Sequence, residues 1–289
     1  MDSVIANVTS PDSLEQALKL IQQDPSKWQL VAGGTDLMVT IDQADQGKNY
    51  LNLSKLNELK GITVTAQFIL IGALTTFSEI IAHPLIKDEF PLLYQAAKGV
   101  GAKGIQNCAT IGGNLVNASP AADAPVALLC YPCKVEINSK EKNHWIPYQQ
   151  FHLDYRQVAL KPGELLGKIR LARTPEKNQH HYYRKVASRQ ALAISKLALA
   201  ARIILDDHQV VSSAKIALGA VAPIPMRAKQ CEQALTGKAI TPAQIQLAVE
   251  LMLGEISPID DLRSSANYRH QVASNLLTHF LTTLLPTEN

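Results

Sequence analysis

Asn107-Cys-Ala-Thr-Ile-Gly-Gly-Asn-Leu-Val-Asn-Ala-Ser-Pro-Ala-Ala-Asp123 is the stretch around which the rest of the chain reads. Two adjacent glycines, Gly112 and Gly113, stand among hydroxyl and amide side chains, and an apolar run over residues 124–129 follows. Paired glycines let a chain turn tightly and present bare backbone N–H groups. Thr110, Asn114, Asn117 and Ser119 add uncharged hydrogen-bonding groups. That is the chemistry of a loop wrapped round a phosphate-bearing cofactor; an ordinary surface turn has the same composition.

A second corner of this kind lies upstream. A capping box from Ser13 to Gln16, with Leu14, Ala17, Leu18 and Ile21 at helical spacing, predicts a helix over residues 13–23. Residues 28–32 read as a strand, Gly33-Gly34-Thr35-Asp36 as a turn, Leu37-Met38-Val39 as a second helix, and residues 50–53 as another strand. This is a small βαβ pattern with Gly33-Gly34 at the strand-to-helix corner, where N–H groups bind phosphate well.

Working outward, residues 61–65, 68–72, 134–138 and 165–171 read as short strands. Thr76 with Glu79 caps a helix ending near His83-Pro84, and residues 90–100 form another. The polar residues 175–181 are the expected linker. Residues 191–205 and 210–221 flank Asp206-Asp207-His208 as in a hairpin, although the first also allows a helix. Three helices near 226–235, 242–253 and 265–284 close the chain.

The chain's 289 residues give room for two or three domains. A net charge of +3 without a Lys/Arg run argues against nucleic acid. Four cysteines (Cys108, Cys130, Cys133, Cys231) do not make a disulfide scaffold in so long a chain. Residues 191–205 are the most apolar, but Lys196 and Arg202 interrupt them and they fall short of the roughly 20 residues a bilayer span needs. With no secretory signal at the N-terminus, cytoplasmic localisation without a membrane span is expected. Gly99-Val-Gly-Ala-Lys-Gly104 fits a dinucleotide fingerprint but follows a helix instead of a strand, so it reads as a helix stop. Cys130-Tyr-Pro-Cys133 lacks a second pair and reads as buried thiols. Asp260-Asp261-Leu-Arg263 reads as a solvated helix start. Two glycine corners thus suggest a two-point grip on a large nucleotide cofactor, without identifying it.

Leu30-Val-Ala-Gly-Gly-Thr-Asp-Leu37 and Ala109-Thr-Ile-Gly-Gly-Asn114 through Asp123 resemble the two flavin-binding motifs of one family, the FAD-binding medium subunit of molybdenum hydroxylases such as xanthine dehydrogenase and carbon monoxide dehydrogenase. Ile71-Gly-Ala-Leu-Thr-Thr76, Pro162-Gly-Glu-Leu-Leu166, Lys185-Val-Ala-Ser-Arg189, Ala217-Leu-Gly-Ala-Val-Ala-Pro223 and Asp260-Asp-Leu-Arg-Ser-Ser-Ala-Asn-Tyr-Arg269 match family signatures in order. The resemblance covers essentially the whole chain. It implies an α+β protein: an FAD-binding domain over residues 1–175 in two α/β subdomains (about 1–58 and 59–175, with FAD between them), then a C-terminal domain over 176–289 with a small antiparallel sheet and a helical cluster.

By resemblance, Leu30, Val31, Gly33, Gly34, Thr35, Asp36 and Leu37 would wrap the diphosphate and adenosine side of FAD. Ala109, Thr110, Gly113, Asn114, Asn117 and Asp123 would hold its second face, and Leu165 and Lys185 match positions near the isoalloxazine. The family usually has Ile-Arg-Asn where this chain has Ile105-Gln106-Asn107, and a missing guanidinium would weaken cofactor or subunit contacts. The implied function is electron transfer in an oxidoreductase complex. Electrons would come from 2Fe–2S clusters on a small subunit, with molybdopterin on a large subunit, and leave to NAD or another acceptor. A self-sufficient flavin oxidase and a flavin-free assembly subunit are the alternatives; the first often tethers flavin through a histidine, and none stands beside Gly33 or Gly112.

Overall fold

The computed structural model describes residues 7–40, 48–174 and 176–285. The chain forms two compact units, each assembled from separate stretches of sequence. The first comprises Met1–His83, Gly101–Ala118 and Cys133–Arg173; the second comprises Pro84–Val100, Ser119–Pro132 and Thr174–Asn289.

In the first unit, helix Leu14–Gln23 starts where Ser13 Oγ accepts the Gln16 N–H at 3.2 Å, while the Gln16 carboxamide accepts from Asp12 N–H at 2.7 Å. Its apolar face buries Ala17, Leu18 and Ile21 with Leu51, Leu53, Leu56, Leu59, Leu74 and Leu165. Each such leucine contributes about 1.5–3 kcal/mol by leaving water. Strands Asn7–Thr9 and Trp28–Val31 both pair in parallel with the central Asn49–Asn52, so the expected βαβ corner is present. The helix after it, Leu37–Thr40, is a single turn.

The unit also contains a five-stranded antiparallel sheet in the order Ile62–Val64, Phe68–Gly72, Leu165–Ala172, Cys133–Asn138, His144–Pro147. Thr76 and Glu79 form the capping box of helix Phe77–Ala82, as their spacing indicates. A small hairpin pairs His152–Asp154 with Gln157–Val158.

The second unit is built on a four-stranded antiparallel sheet in the order Gln179–Val186, Leu197–Leu205, Val211–Gly219, Met226–Arg227. All nine residues of Leu197–Leu205 are buried. Leu197, Leu199, Ala201, Ile203 and Leu205 face a core shared with helices Lys229–Leu235, Pro242–Glu255 and Ala266–Thr282. The other face carries small residues, Ala198 and Ala200, and meets helix Asp123–Leu128. Burial on both faces removes the polar alternation of a half-exposed strand. That is why residues 191–205 did not distinguish strand from helix.

Two expectations need correction. Pro175 of the expected linker lies outside the described residues, but from Gln179 onward the chain is already strand. Pairing along Leu197–Leu205 overrides the polar composition of Gln179, His180 and His181. The helix expected from residue 226 begins at Lys229, because Met226 and Arg227 extend the sheet. The acidic run is exposed at the start of helix Ala266–Thr282, as read, and also forms a turn: Asp261 Oδ1 accepts from the buried Arg269 at 2.8 Å and from Arg263 and Ser264 N–H groups. The Arg269 bond above all holds its carboxyl down to about 2. Cys130 and Cys133 are buried free thiols, as read, and burial pushes Cys130 up to about 12. No helix among the described residues is long and apolar enough to cross a membrane.

A buried cation sits on the four-stranded sheet. Arg202 donates to Gln179 Oε1 and Thr174 Oγ1, each at 2.9 Å, and lies 5.7 Å from the Tyr131 ring centroid. His181 sits in the same surroundings with its Nε2 buried and without a partner. Burial, followed by the charges of Arg202 and His180, pushes its pKa down from 6.5 to about 4. A depressed histidine is neutral in the fold, so its stabilisation is complete above the unfolded pKa and is lost as acid charges the unfolded chain first. We therefore expect the denaturation midpoint of the full chain to fall as pH drops from 6.5 towards 4. His181→Phe should flatten that segment of the profile, as read by guanidinium titrations at each pH.

Candidate functional site

The two glycine motifs meet within the first unit. Strand Trp28–Val31 delivers Gly33 so close to the other motif that a Cβ on Gly33 would lie 1.9 Å from the Cys108 carbonyl oxygen. Only glycine fits there. Gly34 follows at φ +72°, a left-handed conformation, and its carbonyl accepts from Met38 N–H at 2.9 Å to start helix Leu37–Thr40. Among the described residues, nothing accepts a hydrogen bond from the backbone N–H groups of Gly33, Gly34, Thr35 or Asp36. Consecutive amides of this kind make an anion-binding concavity.

The second motif differs from the reading of its sequence. Gly112 and Gly113 have no left-handed torsion and lie inside helix Ile111–Val116, whose N-cap is Thr110. Their N–H groups are not bare. Gly112 N–H donates to Ala73 O at 2.8 Å, Gly113 N–H to Thr110 Oγ1 at 3.1 Å, and Ile111 N–H to Thr75 O at 3.0 Å. Gly112 is glycine because a Cβ would come within 2.6 Å of Ala73. The side chains are what this helix offers a ligand: Asn114 Oδ1 is buried without a partner.

A contribution that motif reading missed caps the other end of this helix. His152 Nε2 lies 2.8 Å from Leu115 O, and Arg156, at the hairpin tip, donates to Asn117 O at 3.0 Å and to Asn117 Oδ1. No sequence motif marks Arg156; its only local signal is a two-residue connection, Tyr155-Arg156, without glycine. Gln106 ends the short helix Lys103–Gln106 and is buried. Leu165 is 2% exposed and belongs to the leucine core of this unit. Leu30 and Asp36 are exposed at the strand-to-helix corner, with Val31, Thr35 and Leu37 half-buried beside them. Ala109 is buried, its carbonyl accepting from Phe77 N–H at 3.1 Å.

The remaining two expected residues, Asp123 and Lys185, lie together in the second unit. Lys185 Nζ donates to Asp123 Oδ2 at 2.7 Å and to Gly99 O at 2.8 Å, while Tyr183 OH donates to Asp123 Oδ1 at 3.1 Å. Tyr183 and Lys185 share a strand face because strand side chains alternate with period two. That spacing was the available signal for Tyr183. Burial raises the Asp123 carboxyl above its ordinary value, and Lys185 and Tyr183 pull it back.

The family model described as the FAD binding domain in molybdopterin dehydrogenase matches residues 4–174, and the CO dehydrogenase flavoprotein C-terminal domain matches residues 181–284. The chain belongs to the FAD-binding medium subunits of the molybdenum hydroxylases. A xanthine dehydrogenase FAD-binding subunit of Escherichia coli O157:H7 is 30% identical over 259 residues, covering 89% of this chain and 88% of the relative. A nicotinate dehydrogenase FAD-subunit of Eubacterium barkeri is 30% identical over 270 residues, covering 91% and 90%. The structure of carbon monoxide dehydrogenase from Hydrogenophaga pseudoflava, in a form lacking the Mo-pyranopterin moiety, superposes with a TM-score of 0.91 at 26% identity and 98% coverage of both chains.

This medium subunit is an oxidoreductase component, and FAD is its cofactor. The residues present fit that cofactor: four free amides at the Gly33–Asp36 corner suit a diphosphate, and the orphaned Asn114 Oδ1 suits a ligand N–H or hydroxyl.

Two substitutions test this geometry. Gly33→Ala should destabilise the chain by about 1–3 kcal/mol, since the clash is with rigid backbone, whereas Gly113→Ala, whose nearest neighbour is the Thr110 hydroxyl at 3.0 Å, should leave urea stability nearly unchanged. Lys185→Met should cost about 3 kcal/mol by stranding a buried carboxylate, and Lys185→Met/Asp123→Asn should recover most of it in the same assay.

Proposed function

We propose that this chain is the electron-transfer subunit of a three-component molybdenum hydroxylase. It would hold FAD between a 2Fe–2S small subunit, working with a molybdopterin large subunit, and a final acceptor such as NAD. The observation that carries the reading is the Gly33–Asp36 corner, whose four N–H groups point to no protein acceptor among the described residues while Gly33 lies against the second motif. Bound FAD supplies the redox chemistry, exchanging electrons one or two at a time. The chain's residues bind, orient and shield.

In this reading the Gly33–Asp36 amides hold the diphosphate, with Leu30, Val31 and Leu37 beside them. Asn114 and Asn117 give hydrogen bonds from the second motif, and Thr110 fixes the start of its helix by accepting the Gly113 N–H. The resemblance matches Lys185 to a family position near the isoalloxazine, and within its own unit Asp123 already balances its charge. The pair therefore acts mainly as an oriented dipole and not as a full positive charge. Ala109 and Leu165 serve as packing supports, one through its backbone and one in the leucine core. A cytoplasmic location accords with free thiols at all four cysteines.

The experiment is purification of the full chain with its co-purifying subunits, followed by absorption spectroscopy of the complex. We expect flavin bands that leave with the supernatant on acid precipitation, together with 2Fe–2S absorbance from a second polypeptide. A preparation that accepts no flavin under any loading condition would sink the reading. Replacing Lys185 with Met and finding an unchanged flavin reduction potential would remove Lys185 from it.

A further inference from the structure

We propose that Arg156 is a positioning residue for the flavin, acting through Asn117. This rests on the reading that Asn117 faces the cofactor. A guanidinium only donates hydrogen bonds, so the Asn117 atom that Arg156 touches must be the carboxamide oxygen. The Asn117 amide is thereby locked with Oδ1 turned to the hairpin and its NH2 group left to donate elsewhere. The same guanidinium takes the Asn117 backbone carbonyl at 3.0 Å, so side chain and main chain at the end of the glycine helix are fixed by one residue.

Arg156 occupies a costly place for its type. Its φ is +58°, a left-handed conformation that glycine or asparagine adopts with less strain, in a two-residue hairpin turn where such residues are usual. The hairpin itself does not depend on that side chain, because His152 already anchors it to the same helix through Leu115 O at 2.8 Å. A residue that is unfavourable for its own turn and dispensable for the hairpin's attachment is explained by what its head group holds. Arg156 is also exposed, so its removal opens no cavity.

The test uses the full-length chain with whatever subunits accompany it, stripped of flavin and titrated with FAD while flavin fluorescence is followed. Arg156→Gly should keep or raise the thermal midpoint of the flavin-free protein, since glycine suits the turn, and yet weaken FAD binding about tenfold, the loss of one well-oriented hydrogen bond. Arg156→Asn, which also tolerates the left-handed turn, is the second variant should glycine loosen the hairpin. Arg156→Lys should fall between wild type and glycine: a single nitrogen, Nη1, makes both bonds to Asn117, which an ammonium can also supply, but on a flexible stem that holds them less firmly.

The decisive comparison is with Asn117→Ala. If Arg156 acts through Asn117, the double variant binds FAD no more weakly than Asn117→Ala alone. Full additivity of the two losses would overturn the proposal, as would wild-type affinity in Arg156→Gly when Asn117→Ala is impaired. Wild-type affinity in Asn117→Ala would instead overturn the underlying assignment of Asn117 to the cofactor, and the proposal with it.

Discussion

The close backbone approach of Gly33 to Cys108 is the constraint on which the cofactor site depends. It brings two motifs distant in sequence into van der Waals contact with no side chain between them, and it fails if a single methyl group is added. The position of Cys108 is itself set by its own N–H bond to Ile105 O and by backbone bonds just after it: Phe77 N–H to Ala109 O, Ile111 N–H to Thr75 O, and Gly112 N–H to Ala73 O. Ala73 N–H in turn donates to Gly167 O, on the central strand of the five-stranded sheet. The cradle is therefore referenced to a sheet by main-chain bonds alone, which vary little with side-chain conformation.

A second theme is where the chain keeps its buried charges. Each has a matched partner or several donors: Asp123 with Lys185 and Tyr183, Glu232 with Arg227 and the Ile216 N–H, Arg269 with Asp261 and two carbonyls. Removing one member of such a set costs more than the set contributes, because the survivor stays desolvated. These groups act mainly to fix geometry. Tyr183 illustrates this: its hydroxyl occupies the Asp123 oxygen that Lys185 does not, leaving the carboxylate one orientation.

Much of this was legible in the sequence. Caps at Ser13 and Thr76, the βαβ corner at Gly33-Gly34, and the strands around Phe68–Gly72 and Leu165–Ala172 follow from local chemistry, and the structure has them. What escaped was set by distant contacts. Gly112 and Gly113 read as a turn because paired glycines usually break helices, and only the nearness of Ala73 explains Gly112 inside one. Gln179 to His181 read as linker because their pairing partner lies some twenty residues downstream in Leu197–Leu205. Arg156 carries no motif; its role exists only once the hairpin is laid on the glycine helix.

The strand Leu197–Leu205 has a consequence for how the chain is made. Its nine residues are enclosed by helices from both directions of the sequence: Asp123–Leu128, already synthesised, on one face, and Lys229–Leu235, Pro242–Glu255 and Ala266–Thr282, still to come, on the other. On the ribosome this apolar segment emerges with half its cover missing, and the earlier helix waits without the sheet it needs. Contacts so distant in sequence form slowly and leave aggregation-prone surface exposed in the interval. Arg202, in the middle of that strand, then has a value apart from any bond it makes in the finished fold: a charge that interrupts the run of apolar residues and discourages strand-to-strand association between nascent chains.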